Sequence, residues 1–143
     1  MSFPHPHSRR ATHADIQRIM TIRQKVRENR LSDPNSVTAI DCAAFMDRAE
    51  MWVWVENGQI QGFSAGDPHD GSIWALFVDP AFEGQGIGCA LLALACNTVH
   101  AAGFWAATLN TDPGTRAEKF YRANGWTETG RTAKGEITFR RPL

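Results

Sequence analysis

The sequence predicts an α/β fold: a mixed, mostly antiparallel sheet flanked by helices on both faces. Three observations point to it. Two apolar runs, 51–55 and 60–65, flank Asn57-Gly58, a dipeptide that favours a tight hairpin turn. Apolar residues recur at helical spacing along 16–26 and again along 87–99. Between the strand-like and helix-like stretches stand Gly84, Gly86 and Gly88, alternating in a short turn.

The elements follow in order. Residues 1–10 carry His, Pro and Arg without an apolar core segment and read as a short flexible leader rather than a secretory signal; residues 11–143 read as a single domain. A first helix begins near Thr12, where Thr12 and Asp15 have capping-box spacing, and Ile16, Ile19, Met20, Arg23 and Val26 lie along one side. Pro34 places a loop at 31–36, and Ser36 or Thr38 caps a shorter helix through Ile40, Phe45 and Met46. The hairpin comes next, then a turn at 66–71 and a third strand at 72–78. From Gly86 the period becomes helical, with Ile87, Ala90, Leu91, Leu94, Ala95 and Val99 on one side and Gly103 as the stop. A strand at 104–109 ends at Pro113-Gly114. Thr115 and Glu118 form a second capping box, opening a helix through Phe120 and Tyr121 to Asn124-Gly125. Strands near 127–130 and 136–140 close the order α-α-β-β-β-α-β-α-β-β.

A chain of 143 residues suits one hydrophobic core. Fifteen basic and fifteen acidic residues cancel, which argues against general nucleic-acid binding, including a binder built on the arginines of 23–30. No apolar run is long enough to span a membrane. Cys42, Cys89 and Cys96 lack zinc or CxxC spacing and read as reduced, small core residues of a cytoplasmic protein, with no metal site. His5, His7 and His13 also lack metal spacing.

The glycines carry the chemistry. A helix N-terminus has unpaired N–H groups and a partial positive charge, and glycine lets backbone approach an anion closely. A dinucleotide fingerprint counted from Gly84 requires glycine where Cys89 stands, and a phosphate loop of the Walker type requires Lys-Ser/Thr where Cys89-Ala90 follows Gly88. Neither motif is present.

The segment Val78-Asp-Pro-Ala-Phe-Glu-Gly-Gln-Gly-Ile-Gly-Cys-Ala-Leu-Leu92 resembles the acyl-CoA signature of the GCN5-related N-acetyltransferase (GNAT) superfamily. Ala117-Glu-Lys-Phe-Tyr-Arg-Ala-Asn-Gly-Trp126 resembles its second signature, and the element order matches from about residue 10 to 139. The resemblance implies a sheet splayed between two central strands, 72–78 and 104–110. It also implies transfer of acetyl from acetyl-CoA to an amine by direct attack in a ternary complex, without a metal. Backbone of Phe77 and Val78 would pair with the pantetheine arm. N–H groups of Gly84, Gln85, Gly86, Ile87 and Gly88 would hold the pyrophosphate, and Tyr121 would be the general acid. A homodimer is a common arrangement in the family. The alternative is a non-catalytic acyl-CoA-binding or regulatory domain of the same fold.

Two positions depart from the family pattern. Glu83 stands where Arg or Gln is usual, and Gly114 where Asn commonly precedes the tyrosine helix, leaving Asn110 or Thr115 to replace its hydrogen bond. Glu28, Asp33, Glu50 and water remain alternatives for the proton-accepting role. Asp79-Pro80 reads as a strand-ending turn, and His69 and Asp70 as turn residues. Arg116, Lys119 and Arg122 share a helix face that reads as solvated, the alternative for Arg116, near the helix start, being contact with a CoA phosphate. Arg23, Arg27 and Arg30 read as a hydrated helix face; the resemblance puts them in the region that shapes the acceptor pocket, where the alternative is selection of an acidic or carboxylate-bearing acceptor. The five tryptophans (52, 54, 74, 105 and 126) read as core and pocket walls, with Trp54 or Trp74 available to an aromatic acceptor. The acceptor class stays open between a small amine, an amino acid, an antibiotic and a protein.

Overall fold

Asn57 and Gly58 both adopt positive φ, 53° and 71°, so the chain reverses in two residues between strands β2 (Trp52–Glu56) and β3 (Gln59–Gly66). The computed structural model describes residues 6–27 and 37–143. Strand β4 (Ile73–Val78) continues the antiparallel meander. Strand β1 (Ser8–Arg10) adds to its outer edge by pairing with Trp52, Val53 and Trp54 of β2. The expected flexible leader therefore ends in a paired strand. Main-chain bonds hold this polar edge, and Arg9 locks it by donating to both oxygens of Asp15 at 2.8 and 3.0 Å.

A second antiparallel sheet has the order β5 (Ala106–Thr111), β7 (Ile137–Pro142), β6 (Thr127–Arg131). One parallel bridge, Ser72 to Thr108, joins the two sheets, supported by the Thr108 N–H donating to the Gly71 carbonyl at 3.1 Å. Beyond it β4 and β5 form no further ladder among the described residues. The splayed sheet expected from the sequence is thus present. Strand β5 starts two residues later than expected because Phe104 packs on Gly71 and Trp105 turns out to solvent, 88% exposed.

Helices α1 (Ile16–Arg27) and α2 (Ala39–Arg48) cover one face of the first sheet. Ile19, Ile22, Cys42 and Phe45 bury against Val53, Phe63, Ala65 and Ala75. Thr38 caps α2 by accepting the Asp41 N–H, while the Asp41 carboxylate accepts the Thr38 N–H at 2.8 Å. At the other end of α2, Arg48 grips Asp67 with two bonds of 3.0 and 3.1 Å, holding that carboxyl below its usual range.

Helix α3 (Ile87–Ala101) packs on the opposite face and touches both sheets. Ile87, Leu91 and Leu94 meet Trp54, and Leu92, Ala95, Cys96 and Val99 join Ile73, Ala107, Leu109, Ile137 and Phe139. The side of β3 facing α3 carries Gly62, Ser64 and Gly66. A Cβ on Gly66 would collide with the Ala95 carbonyl, and one on Gly62 would stand 2.9 Å from Leu91 Cδ1. Ser64 Oγ donates to the Leu91 carbonyl at 2.8 Å, so the one polar group in this seam is paired. Helix α4 (Arg116–Ala123) packs beside the start of α3, where the Phe120 ring meets Gly88.

Asp79, 2% exposed, ties β4 to α1. Its carboxylate accepts from Arg18 at 2.8 Å, Lys25 at 3.2 Å and the Ala81 N–H at 3.0 Å. Burial pushes its pKa up, but these donors outweigh burial and leave it below the ordinary value. Asp79→Asn should lower stability by about 2–3 kcal/mol at pH 7, less than for a fully buried pair because both cations reach solvent. The folded pKa is depressed, so this contribution is present above the unfolded value of about 4 and fades as pH falls through the folded one. Urea unfolding of both proteins should show the gap closing only on the acid side; a pH-independent gap would disconnect it from Asp79 ionisation.

Candidate functional site

Where β4 parts from β5, a cleft of about 680 Å³ opens between the end of β4, the glycine turn and the start of α4. Leu76, Phe77 and Val78 supply one wall, and Ala117, Phe120 and Tyr121 face them. Val26 reaches the cleft from α1. The floor follows from the local sequence. Asp79 caps a short turn, Pro80–Phe82, by accepting the Ala81 N–H, and this delivers the chain to Gly84.

Gly86 is the residue before α3, at φ 83°, and brings no capping side chain. The first-turn N–H groups of a 15-residue helix are thus left without a side-chain cap beside an open cleft. A Cβ at Gly84 or Gly86 would meet nothing within 4 Å, so the space in front of the turn is free for a ligand group. At Gly88 a Cβ would instead stand 3.4 Å from the Phe120 ring and 3.7 Å from Val78. A methyl group would thus fill the space between α3 and the Phe120 ring at ordinary contact distance, and side chains longer than alanine would have to displace that ring.

Tyr121 is 7% exposed and held by aromatic contacts: Phe120 and Trp126 edge-on at 5.4 and 5.7 Å, Phe139 at 6.1 Å. Helix α4 that carries it is capped by Thr115, whose hydroxyl accepts the Glu118 N–H at 3.2 Å. The Glu118 carboxylate reaches past the cap to the Gly114 N–H at 2.7 Å, which fixes the turn where the family's asparagine is missing. Asn110 serves elsewhere, accepting from the Thr138 hydroxyl at 2.8 Å.

Phe77, Val78, Gly84, Gly86, Ile87, Gly88 and Tyr121 all line this one cleft. Gln85, expected with them, is exposed and does not line it. Glu83 does, and its carboxylate pairs with Arg116 at 3.2 Å across the cleft. Arg23 is buried, its guanidinium 4.9 Å above the Phe77 ring. Other candidates lie apart. Glu50 faces Arg10 at 3.7 Å, Asp70 accepts from Ser72, and His69 lies against Arg48. Arg122 bridges Glu118 and Glu128. Trp74 stacks on Phe45 and Trp54 is a core residue, so neither lines the cleft. His7 tilts against Trp54, and His13 pairs with Asp47 at 3.0 Å. Glu28, Arg30, Asp33, His5 and the side chain of Arg27 lie outside the described residues.

Cys89 corrects the reading of three buried thiols. Cys42 and Cys96 are buried, and burial raises both pKa values, but Cys89 is exposed and lines the cleft. It stands in the first turn of α3 on the side that faces the end of α4, its thiol 3.5 Å from Asn124 Oδ1, whereas Ile87 of the same turn is buried against the sheet. Asp79 and the Glu83–Arg116 pair were also not legible as site features, since their partners are distant in sequence. The available signals were separate ones, an acidic residue beside a glycine turn suited to anions and a basic one at the start of the tyrosine helix, and nothing in the sequence joined them.

Residues 47–128 match the family described as an acetyltransferase (GNAT) domain. No curated protein matches the sequence. Among solved structures, a GCN5-related N-acetyltransferase from Rhodopseudomonas palustris superposes at TM-score 0.80 and 18% identity, covering 100% of this chain and 99% of that one. The PaiA N-acetyltransferase of Thermoplasma acidophilum, in complex with coenzyme A, gives 0.77 at 13% identity over 95% and 98%. The yncA protein of Salmonella typhimurium, solved with its cofactor acetyl-CoA, gives 0.75 at 18% over 95% and 92%. At such identities the structural likenesses speak for the fold.

The cysteine geometry predicts that Ellman's reagent titrates one thiol quickly in the folded protein and the other two only on unfolding. Cys89→Ser should remove the fast phase; its persistence would place the accessible thiol elsewhere.

Proposed function

We propose that this chain, which belongs to the GNAT acetyltransferase family, moves an acetyl group from acetyl-CoA to an amine by direct attack within a ternary complex. The observation that carries the reading is the shared cleft. The end of β4, the uncapped N-terminus of α3 and Tyr121 all open into one space at the point where the sheets part.

In this reading the pyrophosphate rests on N–H groups of residues 84–88, where the helix dipole and free backbone donors favour an anion. The pantetheine arm runs along Phe77 and Val78 like an added strand, its amides pairing with backbone that β5 leaves open. The thioester then lies in the opening between β4 and β5. The amine lone pair adds to the thioester carbonyl, and an N–H of β4 donates to the oxyanion. Addition leaves a positive charge on the attacking nitrogen. As the tetrahedral intermediate collapses the C–S bond breaks and the CoA sulfur takes the Tyr121 proton. The proton shed by the nitrogen passes through water to restore the Tyr121 phenol, leaving amide and CoA thiol. Gln85, exposed in the turn, contributes its backbone to the pyrophosphate site. A cytoplasmic location fits the three free thiols. Among the described residues no helix is long and apolar enough to cross a membrane.

Calorimetry with acetyl-CoA, followed by thiol release over a panel of small amines, amino acids, aminoglycosides and peptides, tests the reading. Binding with turnover on one class supports it. Binding without turnover on any amine favours a non-catalytic acyl-CoA-binding domain, and no binding rejects both. Tyr121→Phe should keep acetyl-CoA affinity within about twofold and lower kcat by about 10²-fold. Full activity of that variant at every pH would remove Tyr121 as the acid.

A further inference from the structure

Every charged side chain that lines the cleft, among the described residues, is one of two: Glu83 and Arg116. They are paired with each other, Arg116 Nη1 to Glu83 Oε2 at 3.2 Å. Their backbones belong to opposite walls, Glu83 immediately before Gly84 and Arg116 at the first residue of α4. Arg116 is 71% exposed and Glu83 32%, so the guanidinium can turn without breaking a packed structure. Exposed pairs of this kind are weak.

From this arrangement we propose that Arg116 is a donor-binding residue which leaves Glu83 to pair with a phosphate of acetyl-CoA, and that Glu83 restrains donor affinity. The inference rests on the assignment of acyl-CoA to this cleft. An anion seated on residues 84–88 lies next to Glu83 in the chain, so the carboxylate repels it while also holding the nearest cation. A guanidinium within reach of Glu83 is within reach of that anion, and it matches a phosphate with a planar fork of donors. Glu83 acts twice against the donor, through its own charge and through Arg116. The paired state keeps the lining neutral when the cleft is empty, and donor binding exchanges a carboxylate partner for a more highly charged phosphate partner.

The test is calorimetric titration of acetyl-CoA into wild type, Glu83→Gln, Arg116→Gln and the double variant. Glu83→Gln should tighten Kd by about three- to tenfold, and Arg116→Gln should weaken it by a similar factor. The gain from Glu83→Gln should be smaller in the Arg116→Gln background, because Arg116 is no longer there to be released. S-acetylpantetheine, which lacks the phosphates, should bind all four proteins alike. Unchanged affinity in Arg116→Gln, weaker binding in Glu83→Gln, or equal effects on S-acetylpantetheine would each overturn the proposal while leaving the donor assignment intact. Failure of wild type to bind acetyl-CoA would remove the donor assignment, and this proposal with it.

Discussion

The seating of α3 against β3 is the contact on which the rest of the molecule depends. Gly62, Ser64 and Gly66 strip the inner side of β3 of bulk, so the helix backbone approaches close enough for Ser64 to bond the Leu91 carbonyl. At that depth α3 reaches both sheets at once. Leu91 and Leu94 belong to one packing cluster, Leu92, Ala95 and Val99 to another. A sheet joined by a single parallel bridge would have little to keep its halves in register; the helix lying across the split supplies it. Burying side chains such as Leu91 and Val99, both 0% exposed, contributes about 1.5–3 kcal/mol each. The opening between β4 and β5 is therefore compatible with a stable fold, since the lost ladder is offset by a shared core.

The same seating sets where chemistry can occur. A helix pinned along its length has its first turn fixed in space, and here that turn stands at the end of β4 with only Gly86 before it. Asp79 adds the second restraint, joining α1 to the turn that leads into the glycines through Arg18 and Lys25. Backbone donors held this way need little reorganisation when an anion arrives, which is the condition under which they act most strongly.

Much of this was legible in the sequence because it depends on local rules. The Asn57-Gly58 hairpin, the Thr38 and Thr115 caps and the strand-glycine-helix order each follow from residues close together in the chain. What escaped depends on distant pairs or on position along an element. Ser8–Arg10 carries no alternation, and only the backbone of β2 makes it a strand. Cys89 and Cys96 are seven residues apart on one helix, yet Cys96 joins the core with Ala107 and Phe139 while Cys89 faces Asn124 at the end of α4 and stays exposed. Trp105 looks like core by composition but falls where β5 has not yet begun. Gln85 sits among glycines that line the cleft and yet is exposed outside that lining.

Glu83 illustrates how a local reading can be right about the charge and incomplete about its effect. Alone, a carboxylate beside an anion site is unfavourable, by an amount that grows as water is excluded. Beside Arg116 the same carboxylate has a partner from the opposite wall, so the empty cleft contains no uncompensated charge among its described lining residues. That pairing shifts the question from whether the turn tolerates an acid to how the cation divides itself between two anions. The division is set by solvent exposure: a buried pair would lock Arg116 away, whereas one this exposed stays exchangeable. A weak ion pair at the mouth of a rigid site thus separates affinity, which it tunes, from geometry, which α3 and Asp79 have already fixed.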